Sequence, residues 1–241
     1  MKNYYLTKTK TIASMYDGNL KLRFDEILTL MQDLATAHSY DLQTDHDTLM
    51  KKSNAFWVLT RAKFKINFNV KNNSFVYCKT WPIKPSGVRF LREYTFSQNS
   101  QTVIDARTEW CVLGADNFSV KRPDAIAYPN ELKHLTKKSL TPDFIKTKFE
   151  TTSNDFCYNY KVLLTDIDCN KHTNNVSYAK MALNAFSFED FSSKNFTTFE
   201  IKFINQTFFG DIISIYKKQT ENGFYIEGKI QDKQVFYTIL S

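Results

Sequence analysis

Glycine is scarce in this chain, with six in 241 residues, and proline is scarcer still, with five. So few turn formers favour extended segments joined by a small number of tight turns. Cysteine is nearly absent. Its four copies, Cys78, Cys111, Cys157 and Cys169, show no paired spacing, which gives no zinc pattern and fits reduced, mostly buried thiols. No apolar run approaches the roughly 18–20 residues that cross a bilayer. The opening MKNYYLTKTKTIASMY lacks the apolar centre of a signal peptide, so a cytoplasmic chain without stable membrane insertion is expected. No long basic block and no zinc-finger, helix-turn-helix or RNA-binding signature is present, which argues against nucleic acid as a partner. A G-x-S-x-G elbow and a glycine-rich phosphate loop are missing too, which argues against α/β-hydrolase and nucleotide chemistry.

Aromatic residues are abundant, with 21 Phe and 13 Tyr, inside an otherwise ordinary 42% hydrophobic and 24% charged composition. The length permits one large domain or two of about 100–120 residues. The formal net charge of +7 allows an acidic partner, and lysines dispersed over solvated faces are the plain alternative.

The apolar pattern occurs twice. Phe24, Ile27, Leu28, Met31, Leu34 and Ala35 recur at helical spacing. In KFKINF, Phe64, Ile66 and Phe68 alternate with Lys63, Lys65 and Asn67, the period of a half-buried strand. Three further strand-like runs follow, separated at Asn72-Asn73, Pro85-Ser86-Gly87 and Gln98-Asn99-Ser100. The second half repeats the order: FCYNYKVLL as a strand, then NNVSYAKMALNAF as a helix with Val176, Ala179, Leu183 and Phe186 on one stripe, then four strands. Asn222-Gly223 marks a hairpin between two of them. Residues 121–152 hold Pro123, Pro129 and Pro142 with little periodicity and read as a linker between units 1–120 and 153–241. One helix followed by consecutive short-loop strands predicts an α+β fold with a mostly antiparallel sheet.

TDIDCNKHTNNVSY, residues 165–178, crowds acids, amides and an imidazole at a helix entry. Asn174 or Asn175 suits an N-cap. Asp168, Asn170 and His172 alternate, so an extended segment projects all three to one side. Beside a helix N-terminus they form a usable site: amide groups and the dipole stabilise charge on a carbonyl oxygen, and a carboxylate or imidazole activates water.

This run resembles the D-x-N-x-H-x-N-N-x-x-Y segment of the acyl-acyl carrier protein thioesterases. Matching blocks extend over most of the chain, among them YDGNLKLRFDEILTLMQDLATAHSYDL, TWP at residues 80–82 and FEIKFINQTFFGDIISI. The resemblance implies two tandem hot-dog units, each a long central helix wrapped by a mostly antiparallel sheet. It implies hydrolysis of the thioester that joins a fatty acyl chain to the phosphopantetheine arm of acyl carrier protein, with no cofactor and no metal. Asp168, Asn170 and His172 take the family's catalytic positions, and Asn174, Asn175 and Tyr178 complete the motif as substrate-binding residues. A further catalytic position, a Glu in many members, falls on Gln206 here. A neutral amide holds a water but cannot take its proton, so either His172 or Asp168 is the base, or the chain is a weakly active or non-hydrolytic binding protein. Met31, Leu34 and Trp57 are expected to line the acyl tunnel or simply to pack the core. His38, at the end of the first helix, is expected to act as a cation facing the helix dipole. A fused repeat is compatible with a monomer or a homodimer.

Overall fold

Each half of the sequence pattern folds as its own unit, one running through Pro142 and the other starting at Asp143. The computed structural model describes residues 2–146 and 149–241. The first unit contains strand β1 (Tyr5–Lys10), helices α1 (Phe24–Asp41) and α2 (His46–Ser53), and strands β2 (Ala55–Ile66), β3 (Phe75–Pro82), β4 (Phe90–Gln98), β5 (Gln101–Gly114) and β6 (Val120–Lys121). The strands lie in the order β1-β3-β4-β5-β2, antiparallel throughout, and β6 joins one end of β5.

Helix α1 buries the residues that its spacing predicts, Ile27, Leu28, Met31, Leu34 and Ala35 among them, and Phe24 meets Phe64 edge-on. The cation expected at its end is absent. His38 is fully buried, and Arg92 Nη1 donates to its Nδ1 at 2.9 Å. Since a guanidinium only donates, Nδ1 accepts, and Nε2–H donates to the Lys2 carbonyl at 3.2 Å. Burial and the Arg92 charge hold the His38 pKa down to about 4, so the ring is neutral. Helix α2 has little periodicity to announce it. It forms because Asp45 accepts from Thr48 N and Thr48 Oγ1 at its start. The alternation expected in KFKINF ends early. Phe64 is buried, but Lys63 is buried beside it and Phe68 is exposed past the strand end.

Residues 122–142, assigned to a linker by sequence, stay on the first unit through buried carboxylates of its sheet. Glu93 Oε1 takes Arg107 Nε at 2.7 Å, and Oε2 accepts from Ser139 N and Ser139 Oγ at 3.1 and 2.6 Å. Asp105 Oδ1 accepts from Leu140 N at 3.0 Å. Such a buried carboxylate is tolerable because a cation and several donors compensate it.

The second unit contains β7 (Phe156–Lys161), α3 (Asn175–Leu183), α4 (Phe188–Ser193), β8 (Thr198–Phe203), β9 (Ile212–Thr220), β10 (Gly223–Ile230) and β11 (Lys233–Leu240). Its order, β7-β9-β10-β11-β8, is again antiparallel. Numbered from its own start, each unit therefore arranges its five main strands first, third, fourth, fifth, second. The architecture is α+β, with extensive antiparallel sheet and few helices. Helix α3 has only 9 residues against 18 in α1. Its expected stripe of Val176, Ala179, Leu183 and Phe186 is only partly buried. The core face is instead Tyr178, Ala179, Met181 and Ala182, because Phe186 lies beyond the helix in a cluster with Phe191, Phe196 and Phe224. Glu221 and Asn222 form the two-residue turn from β9, and Gly223 opens β10 at φ 138°. On the fourth strand, Glu227 accepts from Thr151 Oγ1 and pairs with Lys229 at 2.8 Å. Glu93 accepts the Ser139 hydroxyl from the same strand position of the repeat. Among the described residues, no helix is long and apolar enough to cross a membrane, and no group of three His, Cys, Asp or Glu side chains could hold a metal ion.

Candidate active site after strand β7

The polar run between β7 and α3 is folded back on itself. Ile167 pairs with Thr173 as an antiparallel bridge, and Lys171 adopts φ 64° to close the turn. The extended segment expected for Asp168, Asn170 and His172 is thus replaced by a turn organised by Asp168. Its Oδ1 accepts from Asn170 N at 2.8 Å and His172 N at 3.2 Å. Its backbone N–H donates to the His172 carbonyl at 2.9 Å, and its carbonyl accepts from Lys171 N at 3.0 Å. Asp and Asn favour such turns because a short side-chain oxygen reaches amides two residues onward.

A second carboxylate anchors the base of the turn. Asp166 is buried and accepts from Tyr160 Oη at 3.0 Å and Leu163 N at 2.9 Å, while its carbonyl accepts from Asn174 N at 2.7 Å. Burial and this carboxylate push the Tyr160 phenol up to about 12, so it stays a donor at neutral pH. Asn174 caps α3: its Oδ1 accepts from Val176 N at 2.8 Å.

Three hydroxyls tie this turn to helix α3 and to the loop after β8. Thr173 N donates to the Thr207 carbonyl at 2.9 Å. The two threonine hydroxyls meet at 2.7 Å, and the Tyr178 hydroxyl meets Thr207 Oγ1 at 2.9 Å. Thr207 N in turn donates to Tyr178 Oη at 3.1 Å. All three residues are buried, so each hydroxyl needs these partners. Burial raises the Tyr178 pKa, partly offset by bonds to the threonines. Tyr178 also packs against Phe203 and Phe236.

Because His172 precedes Thr173 and Gln206 precedes Thr207, this pairing sets the backbones of the two residues in adjoining loops. Phe208 meets the His172 ring edge-on at 5.2 Å. Gln206 lies in the loop beyond β8, not within a strand, and is exposed, as are Asn170 and Cys169, while Asp168, His172 and Asn175 are half-buried. The exposed Cys169 departs from the expectation of mostly buried thiols; of the four only Cys78 is fully buried. Asp166, Thr173, Thr207 and Phe208 were not singled out in the sequence. The threonine pairing carries no signal there, since Thr173 and Thr207 lie 34 residues apart, and the role of Tyr178 as the partner of Thr207 is equally invisible.

Met31, Leu34 and Trp57 belong to the first unit. Met31 and Leu34 are buried on α1. Trp57 is half-buried, donates from Nε1 to the Thr44 carbonyl at 2.7 Å and stands edge-on to Phe90 and Trp110.

A family model described as the acyl-ACP thioesterase N-terminal domain matches residues 2–127, and one described as the C-terminal domain matches residues 127–237. An acyl-ACP thioesterase from Bacteroides thetaiotaomicron superposes with a TM-score of 0.88 at 19% identity, over 99% of this chain and 97% of that one. The 12:0-ACP thioesterase from Umbellularia californica superposes with a TM-score of 0.86 at 12% identity, over 100% of this chain and 97% of that one. At such identities these structures speak for a shared fold. No curated protein sequence matches the chain.

Proposed function

The chain belongs to the acyl-ACP thioesterase family, and on that premise we propose how the turn after β7 hydrolyses its substrate. Acyl-ACP is the substrate that membership implies, and the activity is thioester hydrolysis. Water adds through oxygen to the thioester carbonyl carbon, the C–S bond breaks, and the thiol leaves with a proton. A free fatty acid and the carrier thiol result, which ends chain elongation.

In this reading His172 takes the proton from water, since a neutral imidazole has a nitrogen lone pair to accept it and Gln206 has no basic form. Gln206 holds the water through its amide. Asn170 and the start of α3 receive the carbonyl oxygen as it gains charge. Asp168 positions His172 by fixing the turn, and its charge stabilises the imidazolium. Asn174 caps the helix whose first residue, Asn175, meets the substrate, while Tyr178, expected from the resemblance to bind substrate, is buried and holds Thr207 instead. The observation that supports this reading is the Thr173–Thr207 pairing, which joins the loop that carries His172 to the loop that carries Gln206. The two units are read as tandem hot dogs, with the N-terminal one, including Met31, Leu34 and Trp57, receiving the acyl chain. A cytoplasmic location and a monomer or homodimer complete the proposal.

Thiol release from acyl-ACP tests it. His172→Ala should lower the rate by about 10²–10⁴-fold, and Gln206→Ala by less. Thiol release absent from the wild type, in the presence of acyl-ACP binding, would favour a non-hydrolytic binding protein, the reading that the missing carboxylate at position 206 allows.

A further inference from the structure

Neighbouring residues of β4 face opposite ways: Glu93 turns toward Ser139, and Arg92 toward His38 of α1. The two buried faces are handled differently. Arg107 is paired with Glu93 at 2.7 Å, and Arg23 with Asp25. Arg92 has no carboxylate within ion-pair distance among the described residues. Its Nη1 donates to His38 Nδ1 at 2.9 Å and to Thr80 Oγ1 at 3.4 Å, whereas its Nε and Nη2 have no partner among those residues. Neither nitrogen is sealed off. The buried side-chain nitrogens and oxygens without a partner among the described residues are only Tyr16 Oη and Thr238 Oγ1, so the Nε/Nη2 edge opens onto accessible space.

That edge is the one that grips two oxygens of a carboxylate or phosphate side by side. The opposite edge is already anchored, and the anchor is one-way: His38, neutral and donating to Lys2, offers Arg92 only a lone pair. Burial lowers the pKa of Arg92, with the Tyr94 and Tyr128 phenols as the opposing influences. Arg92 is half-buried, and a partly desolvated cation without a counter-ion gains from an anion that pairs with it. Phe90, two residues before Arg92 and so on the same face of β4, packs against Tyr128, which lines a cavity of about 680 Å³ whose walls include Ile83, Pro85, Leu132 and Leu135, a size that suits a small ligand. The Tyr128 ring also stacks on His134.

We propose that Arg92 forms an oxyanion subsite in the first unit, taking the carboxylate or phosphate of an amphipathic ligand whose apolar part lies against Tyr128 and the adjoining cavity. The subsite is built wholly from first-unit residues. Two sources share this chemistry: the carboxylate of a free fatty acid and the phosphate of a pantetheine arm.

Titration calorimetry with decanoate, phosphopantetheine and neutral 1-decanol, on the wild type and on Arg92→Met, tests the proposal without reference to hydrolysis. Methionine fills the volume and removes the buried charge, a change that buried ionic groups often tolerate. At least one anion is expected to bind the wild type and to lose about tenfold or more in affinity in Arg92→Met, the loss of a charge-assisted bidentate pair, while 1-decanol is unaffected. Loss confined to decanoate assigns the carboxylate, and loss confined to phosphopantetheine assigns the phosphate. Arg92→Lys keeps the charge without the fork and is expected to weaken the same anion severalfold, which preserves the test if the methionine variant does not fold. Anion affinities that neither substitution changes, or no anion binding to the wild type, overturn the proposal.

Discussion

At the scale of single residues, Asp168 has two separable roles. One oxygen accepts two amides that shape the turn, while the proposed mechanism assigns its negative charge to the chemistry. Asn in its place keeps an oxygen acceptor and loses the charge. Asp168→Asn is therefore expected to melt close to the wild type yet release thiol roughly a hundredfold more slowly. Asp168→Ala should lose the rate and about 1–2 kcal/mol of stability as well, because the amides lose their acceptor. Melting curves beside thiol-release rates check both. A fully active Asp168→Asn would leave the residue a purely geometric part. The identities of Asp168, Asn170 and His172 were legible in the sequence, and their arrangement was not. The alternation suggested a strand, but a carboxylate two residues before an amide competes for that backbone and wins.

Between elements, the hydroxyls of Thr173, Thr207 and Tyr178 act as one unit. Thr207→Val would leave two buried hydroxyls without their shared partner, at a cost of about 1–3 kcal/mol. It should also lower the hydrolysis rate by loosening the His172 loop from the Gln206 loop, whereas Thr207→Ser should restore both. Denaturant melts and thiol release distinguish the outcomes. The hairpin from β9 to β10 depends on Gly223. An added Cβ would sit 1.9 Å from the Leu240 carbonyl oxygen at φ +138°. Gly223→Ala is thus expected to cost roughly 3 kcal/mol or more, visible as a lowered denaturation midpoint. Elements with strong periodicity, such as α1 and the strand series, could be read from sequence. Helices α2 and α4 could not, because their caps at Asp45 and Ser187 matter more than any apolar stripe. His38 escaped for a different reason: its partner Arg92 lies 54 residues away.

At the level of the whole molecule, that same histidine makes stability depend on pH. Unfolded, it binds a proton below about pH 6.5; folded, it does so only near 4. The unfolded chain therefore holds more protons in this window, and stability falls as pH drops through it. His38→Gln, which keeps an acceptor for Arg92 and a donor for Lys2, should flatten the wild-type loss between about pH 7 and 5, before most carboxylates titrate. Chemical denaturation across that range gives the comparison. The +7 net charge should also aid docking of an acidic carrier protein. The Michaelis constant for acyl-ACP is expected to rise with ionic strength, and a flat response would remove electrostatics from the encounter.

The shared strand order has a kinetic corollary. Both units repeat one topology, but only the second carries the Asp168–His172 turn. On the proposed mechanism each polypeptide brings a single turnover centre, where a symmetric pair of equipped copies would bring two. Saturation by substrate should be hyperbolic, and a tight inhibitor should titrate one equivalent per chain, whether the chain works alone or paired.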